Sequence, residues 1–273
     1  MKFSCLMTVY DKENPKYFDR ALQSILVDQT VLPDQFVLVY DGPINSKLNE
    51  VTEKYQRLFI NEFVLLKLNK NVGQGAASKA GFERCRYELI SRMDSDDISY
   101  PNRFEKELEI FFSHSNIDVV GGFITEFKTS ENDIIGKRIV KEKHEEIVKD
   151  FHKRNPINNV TVMFKKQAMI DIGGYSDERV NEDFNIYVRF LLSEKRFYNL
   201  QMPLVNVRVG DNMIERRGDI GIYKAWKRNQ KLLYDGKVIN WFEYKRNCIK
   251  CFCFVKCPKF IKKFLYRYIL RKN

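Results

Sequence analysis

From Phe3 to Met93, short apolar runs alternate with amphipathic stretches, and no other feature of the chain narrows its possible folds so far. Phe3 to Val9 is rich in strand formers and stops at Tyr10-Asp11. Asn14-Pro15 then offers a helix start, with Asn14 as cap and Pro15 at the first helical position. Phe18, Leu22, Ile25 and Leu26 recur at helical spacing up to Gln29-Thr30. Phe36 to Tyr40 reads as a buried strand that ends at the turn signal Asp41-Gly42-Pro43. A helix over Ser46 to Leu58, a strand over Phe63 to Lys67, a helix opened by Gly73-Gln74-Gly75 and a strand ahead of Asp94 complete the series. This β-α-β-α-β-α-β order predicts an α/β protein with a mostly parallel, doubly wound sheet. Such sheets gather ligands at the carboxyl ends of their strands. Thr8-Val9-Tyr10, Asp41 and Asp94-Ser95-Asp96 all fall at strand ends, so one shared cleft is expected.

Met93-Asp94-Ser95-Asp96-Asp97 packs three carboxylates into four positions. Like charges at that spacing repel unless a cation sits among them. Asp-x-Asp at a strand end can present two carboxylates to one hard divalent ion, with a diphosphate completing the shell. The alternative is a solvated acidic turn leading into a helix at Pro101-Asn102-Arg103-Phe104. Asn71-Val72-Gly73-Gln74-Gly75 lacks the third glycine of a dinucleotide fingerprint and opens the wrong helix of the series, which argues against that class.

A hydrophobic share of 44% over 273 residues indicates a globular chain able to bury a large core. No run of about 18 apolar residues predicts a spanning helix. The start, Met1-Lys2-Phe3-Ser4-Cys5, has no signal-peptide pattern, so a cytoplasmic protein with its six cysteines reduced is expected. The net charge of +11 is concentrated: ten basic residues and no acidic one lie between Tyr244 and Asn273. The remaining basic residues nearly balance the 36 acidic ones, so arguments about partners from charge belong to that tail.

Together the motifs resemble family 2 glycosyltransferases of the GT-A (Rossmann-like) fold, especially those that assemble bacterial O-antigen and exopolysaccharide. The parts occur in order over residues 3 to 215: Ser24-Ile25-Leu26-x-x-Gln29-Thr30, Val39-Tyr40-Asp41-Gly42-Pro43, Asn71-x-Gly73-x-Gly75, Asp94-Ser95-Asp96-Asp97 and Pro101-x-Arg103. Asn155-Pro156-Ile157-Asn158, Gly173-Gly174-Tyr175 and Glu182-Asp183 leading to Arg189 follow. The resemblance implies an inverting, metal-dependent transferase. Its donor would be a UDP- or dTDP-sugar and its acceptor a polyprenyl-diphosphate-linked saccharide.

By that resemblance Thr8 and Tyr10 line the base pocket, and Asp41 accepts from the N3–H of uracil, a proton that cytosine lacks. Gly73, Asp94, Ser95 and Arg208 complete the donor site, the guanidinium of Arg208 matching phosphate oxygens. Asp96 is the primary ligand of Mn2+ or Mg2+, with Asp94 as second ligand or ribose contact. The histidine that many relatives add near Arg208-Val209-Gly210 is missing, and Asp211, Asn212 or water would replace it. Asp183 is the base that takes the acceptor's proton, with Glu182 as alternate; a carboxylate is already deprotonated at neutral pH. Both could instead be helix-start carboxylates serving the macrodipole. Gly173-Gly174-Tyr175 suits an acceptor wall or a plain turn. Lys79 and Asn159 depart from the asparagine and histidine of relatives.

The expected organisation is a catalytic domain over 1–217 and a helical, membrane-associating segment over 218–273. Helices are expected at Ile220 to Leu233, Asn240 to Phe254 and Pro258 to Leu270, the last cationic and amphipathic. That helix suits the inner face of an anionic membrane, giving a cytoplasmic protein peripherally bound there, with no role in binding nucleic acid. Cys248, Cys251, Cys253 and Cys257 scatter around a helix, which disfavours a zinc site. Two rivals remain. One is a non-catalytic nucleotide- or nucleic-acid-binding protein using the basic tail; the other is a nucleotidyltransferase on a related fold, whose glycine-rich and lysine signature is missing.

Overall fold

Strand β1 (Phe3–Val9) runs through the interior of the sheet, and only Thr8 at its exit is partly open to solvent. The computed structural model describes residues 1–176, 180–210 and 220–257. Helix α1 (Pro15–Leu26) starts where Asn14 accepts from the N–H of Lys16, and it buries Phe18, Leu22, Ile25 and Leu26 on one side. Strand β2 (Gln35–Tyr40) is wholly buried, and helix α2 (Ser46–Leu58) is capped by Asn45. Strand β3 (Phe63–Lys67), helix α3 (Gln74–Phe82) and strand β4 (Leu89–Met93) follow. β1 pairs in parallel with β2 and with β4, and β2 with β3, as the alternation of elements demands.

Beyond β4 the chain departs from simple winding. It forms β5 (Ile98–Ser99), α4 (Arg103–Ser113), β6 (Val119–Phe127), β7 (Ile134–Arg138), α5 (His144–Asp150), β8 (Met163–Lys165) and α6 (Lys166–Asp171). Then come α7 (Glu182–Leu192), β9 (Phe197–Arg208), α8 (Ile220–Asp235) and α9 (Trp241–Lys256). The sheet order is β3-β2-β1-β4-β8-β6-β9-β5, with β7 alongside β6. β8 is antiparallel to β4 and β6, whereas β9 runs parallel to β6, so β6 and β9 end on the same side as β1, β2 and β4.

Both faces of the sheet are covered. Leu6, Val37 and Val39 face one layer with Phe184, Phe190 and Phe197; Phe3, Cys5 and Phe36 face the other with Phe18, Leu22 and Phe104. The two-residue alternation along β1 and β2 assigns these sides. Each fully buried phenylalanine contributes about 1.5–3 kcal/mol. Arg103 is an exception to the apolar interior. It is fully buried, pairs with Glu107 at 3.2 Å, and donates from Nη2 to Ser91 Oγ at 3.0 Å and the Arg92 carbonyl at 2.9 Å. It anchors the last turn of β4, directly before the acidic cluster.

α8 and α9 pack onto the domain through α7. Phe184 stacks on Trp226 with ring centroids 5.1 Å apart, and Asn185 donates to Asn229 at 2.9 Å. α9 begins with a reciprocal cap between Asn240 and Glu243. No described helix is long and apolar enough to cross a membrane. The helix expected over Pro258 to Leu270 lies outside the described residues, as do Asp211 and Asn212.

Candidate active site

Asp41 is buried at the exit of β2, and its carboxylate reaches across to the loop before α3. Oδ1 accepts from the N–H of Val72 at 2.6 Å and Oδ2 from that of Gly73 at 3.0 Å. The approach is close: a Cβ on Gly42, whose φ is +90°, would stand 2.6 Å from the Asn71 nitrogen. Glycine is therefore required there on two counts. These bonds are long-range, not the local turn bonding that Asp-Gly-Pro invites. Each oxygen keeps a lone pair for a further donor.

From this loop the contacts continue into the acidic cluster. Gln74 Nε2 donates to Asp94 Oδ1 at 2.9 Å, and Arg92 Nη2 binds the same oxygen at 2.6 Å. Ser95 Oγ donates to Glu13 at 2.8 Å. Arg208, at the exit of β9, donates from Nε to the Asp96 carbonyl at 3.2 Å, and its backbone N–H donates to Asp97 at 2.9 Å. Its guanidinium lies 3.7 Å from the ring centre of Tyr17 and 4.4 Å from that of Phe127. Arg208 is thus fixed beside the cluster and is no free surface arginine. Tyr10 leaves an exposed ring at the exit of β1, next to Thr8.

Burial and mutual repulsion disfavour full ionisation of the acidic cluster. Burial, then the neighbouring Asp94 and Glu13 carboxylates, push the Asp96 carboxyl up from 3.8 to about 7, against a smaller pull from Arg208. Asp97 is raised well above the usual range by burial and by Asp96. Among the described residues no three His, Cys, Asp or Glu side chains converge to hold an ion unaided. Asp96, with Asp94 beside it, would need further donors such as phosphate oxygens to hold one. The charge on Asp94 is already partly met by Arg92. His114 and His144 stack on Tyr198 and Phe197, at the opposite end of β9 from Arg208.

Glu182 and Asp183 open α7, entered through Asn181 in the left-handed conformation. Asp183 accepts from Asn155 Nδ2 at 3.1 Å. Burial and then Asp183 raise the Glu182 carboxyl, with Asp94 adding to the rise and Arg92 opposing it. The α7 start therefore lies within electrostatic reach of the β4 end. Tyr187, one turn along, donates to Asn159 Oδ1 at 2.6 Å, so Asn159 supports the helix that carries these carboxylates.

Several contributors escaped the sequence reading. Arg92 is the clearest: it is 8% exposed, and its Nη1 is buried with no hydrogen-bond partner among the described residues. A guanidinium in the otherwise buried strand Leu-Ile-Ser-Arg-Met was the available signal. Glu13 and Gln74 carried no such signal, whereas Asn155 stood in the Asn155-Pro156-Ile157-Asn158 motif without an assigned role. Conversely, some motif residues prove to be scaffold. Gln29 donates to Ser24 and Tyr100 carbonyls, and Ser24 Oγ accepts from the Ser99 N–H, tying α1 to the loop after the cluster. Gly173 and Gly174 close α6, their N–H groups donating to the carbonyls of Ile170 and Met169 in a Schellman cap. Tyr175 then packs against Phe82.

Comparison with known proteins bears on this site. The family described as Glycosyl transferase family 2 matches residues 4–173. An uncharacterized glycosyltransferase of Haemophilus influenzae is 38% identical over 234 residues, 86% of each chain. The UDP-Gal:alpha-D-GlcNAc-diphosphoundecaprenol beta-1,3-galactosyltransferase of Escherichia coli is 32% identical over 274 residues, 99% of this chain and 97% of that one. Among solved structures, S. aureus TarS 1-349 in complex with UDP matches 94% of this chain and 76% of its own. Its TM-score is 0.67 at 16% identity, a likeness of fold.

Proposed function

Because this chain belongs to glycosyl transferase family 2 and is a glycosyltransferase of the GT-A fold, we propose that it moves a sugar from a UDP (or dTDP) donor to a polyprenyl-diphosphate-linked saccharide, with inversion at the anomeric carbon. Surface polysaccharide synthesis at the inner face of the cytoplasmic membrane is the setting that suits such an acceptor. Family membership displaces the non-catalytic and nucleotidyltransferase readings.

The observation that carries the proposal is the chain of contacts from Asp41 through Gly73, Gln74 and Asp94 to the Asp96–Arg208 pair. Asp41 offers an acceptor to the imide of uracil, and the exposed ring of Tyr10 offers a stacking face. Arg208 supplies a fixed positive charge for the diphosphate, and Arg92 Nη1 offers a buried donor to the sugar–phosphate end. A divalent cation, Mn2+ or Mg2+, would be held by Asp96 and Asp94 and would screen the charge that develops on the departing nucleoside diphosphate. Asp183, oriented by Asn155, takes the proton of the attacking acceptor hydroxyl. Glu182, whose carboxyl is raised by burial and by Asp183, stands beside it as the alternate.

Transfer can be measured by mass spectrometry with a panel of UDP- and dTDP-sugars, Mn2+ and a synthetic lipid-diphosphate saccharide. Product from at least one donor, abolished by Asp96→Ala, is expected. No product from any donor with Mn2+ or Mg2+ would overturn the reading.

A further inference from the structure

Away from the strand ends, the hairpin of α8 and α9 carries an open groove of ≈ 290 Å³. Tyr223 and Lys227, one turn apart on α8, form one wall; Tyr244, Lys245, Ile249 and Phe252 on α9 form the other. Tyr223 and Phe252 meet edge to face, ring centres 5.3 Å apart, and close one end. Cys248 lines the groove as a buried thiol. Ile249 is 61% exposed, and Trp241 and Phe242 also stand open on the same helix. Neither Lys227 nor Lys245 forms an ion pair with a described carboxylate.

An apolar trough flanked by two ammonium groups, that of Lys245 lying over the Trp241 and Tyr244 rings at 5.6 and 5.7 Å, complements an amphiphile with an anionic head. Residues 258–273 are a poor occupant, since they add six basic residues and no acidic one. A neutral saccharide would leave both lysines without a counter-charge among the described residues. The volume sits at the low end for small-molecule sites, enough for phosphate and the first isoprene units but not a whole lipid. Position matters as well. Trp226 precedes Lys227 and stacks on Phe184, which follows Asp183, so the hairpin is locked to the helix bearing the proposed base.

We propose that the α8–α9 groove receives the phosphate-proximal isoprene units of the polyprenyl-diphosphate acceptor, with Lys227 and Lys245 facing its phosphates. This rests on the lipid-linked acceptor proposed above. The remainder of the isoprenoid would leave along the exposed Ile249 and Phe252 surface toward a bilayer.

Farnesyl diphosphate is a suitable probe, titrated into the full chain by tryptophan fluorescence and by calorimetry. The proposal expects saturable binding that weakens at least tenfold in Lys227→Glu/Lys245→Glu and in Ile249→Glu, with melting temperatures unchanged. Inorganic diphosphate and farnesol should each bind at least tenfold more weakly than the conjugate. Equal binding by wild type and variants, or equal competition by phosphatidylglycerol vesicles, would overturn the groove as an isoprenoid-phosphate site. Transfer assays separate the two levels. Wild-type turnover of a lipid-linked acceptor with an unchanged acceptor KM in Lys227→Glu/Lys245→Glu sinks the groove alone. Absent wild-type turnover on that acceptor, with transfer to a lipid-free one, sinks the lipid-linked reading together with the groove.

Discussion

Arg208 and Asp96 lie 112 positions apart in the chain, yet the guanidinium Nε of one donates to the carbonyl of the other at 3.2 Å. The contact joins the exit of β9 to the loop after β4, and the Tyr17 and Phe127 rings hold the guanidinium in place. A charge so fixed would stabilise a diphosphate leaving group without reorganisation. Arg208→Ala should lower kcat by about 10²–10³-fold. Arg208→Lys should recover only part of this, since an ammonium cannot bond phosphate and carbonyl with the same planar fork. Steady-state kinetics with saturating donor would check both.

The acidic cluster predicts a pH-dependent affinity for cations. Asp96 holds its proton up to about pH 7 in the fold, and that proton must leave before an ion binds. The apparent affinity for Mn2+ should therefore rise about tenfold per pH unit below about 6 and level off above about 7. Because the folded carboxyl is raised from 3.8, its stabilising contribution is complete below 3.8 and lost as pH climbs toward 7. Without metal the melting temperature should fall across that window through this group, and Mn2+ should restore more at pH 8 than at pH 6. Calorimetry and thermal melts at both pH values would test this, and a pH-independent Mn2+ affinity would refute it.

At the start of α7, Asp183→Asn should reduce kcat by about 10²–10⁴-fold with little change in donor KM, the loss expected of a general base. Glu182→Gln, which leaves the proposed base in place, should cost much less. Asn155→Ala, which removes the donor 3.1 Å from Asp183, should fall between them. Wild-type turnover in Asp183→Asn would move the base elsewhere.

Arg103 tests the scaffold under the cluster. Arg103→Ala leaves Glu107 buried without its partner and should destabilise the fold by about 3–5 kcal/mol. Chemical denaturation would read this. Arg103→Met/Glu107→Leu should recover most of the stability yet bind the donor less tightly, because the Ser91 and Arg92 anchors of β4 are gone.

The winding of the first half was legible because strand and helix periodicities are local. Phe3–Val9, Ser46–Leu58 and Phe63–Lys67 stand where their apolar spacing puts them, and Asn14 caps α1 as its side chain permits. The ordered acidic motifs likewise pointed to a glycosyltransferase before any coordinates. The strands after β4 were not legible. β5 has two residues and β8 three, too short to show a period, and they form only because β9 and β4 offer open ladder positions.

Which carboxylates face one another belongs to the same class. Glu13 reaches Ser95, Arg92 takes a share of the Asp94 charge, and Arg208 closes on the loop after β4. Spacing along a chain specifies the face of a helix or strand within a few residues. Partners 82 or 112 positions apart are set by how the sheet orders its strands. Residue types and their local rhythm named the chemistry; the packing of β4 and β9 chose which charges meet, because only folding removes the solvent between them.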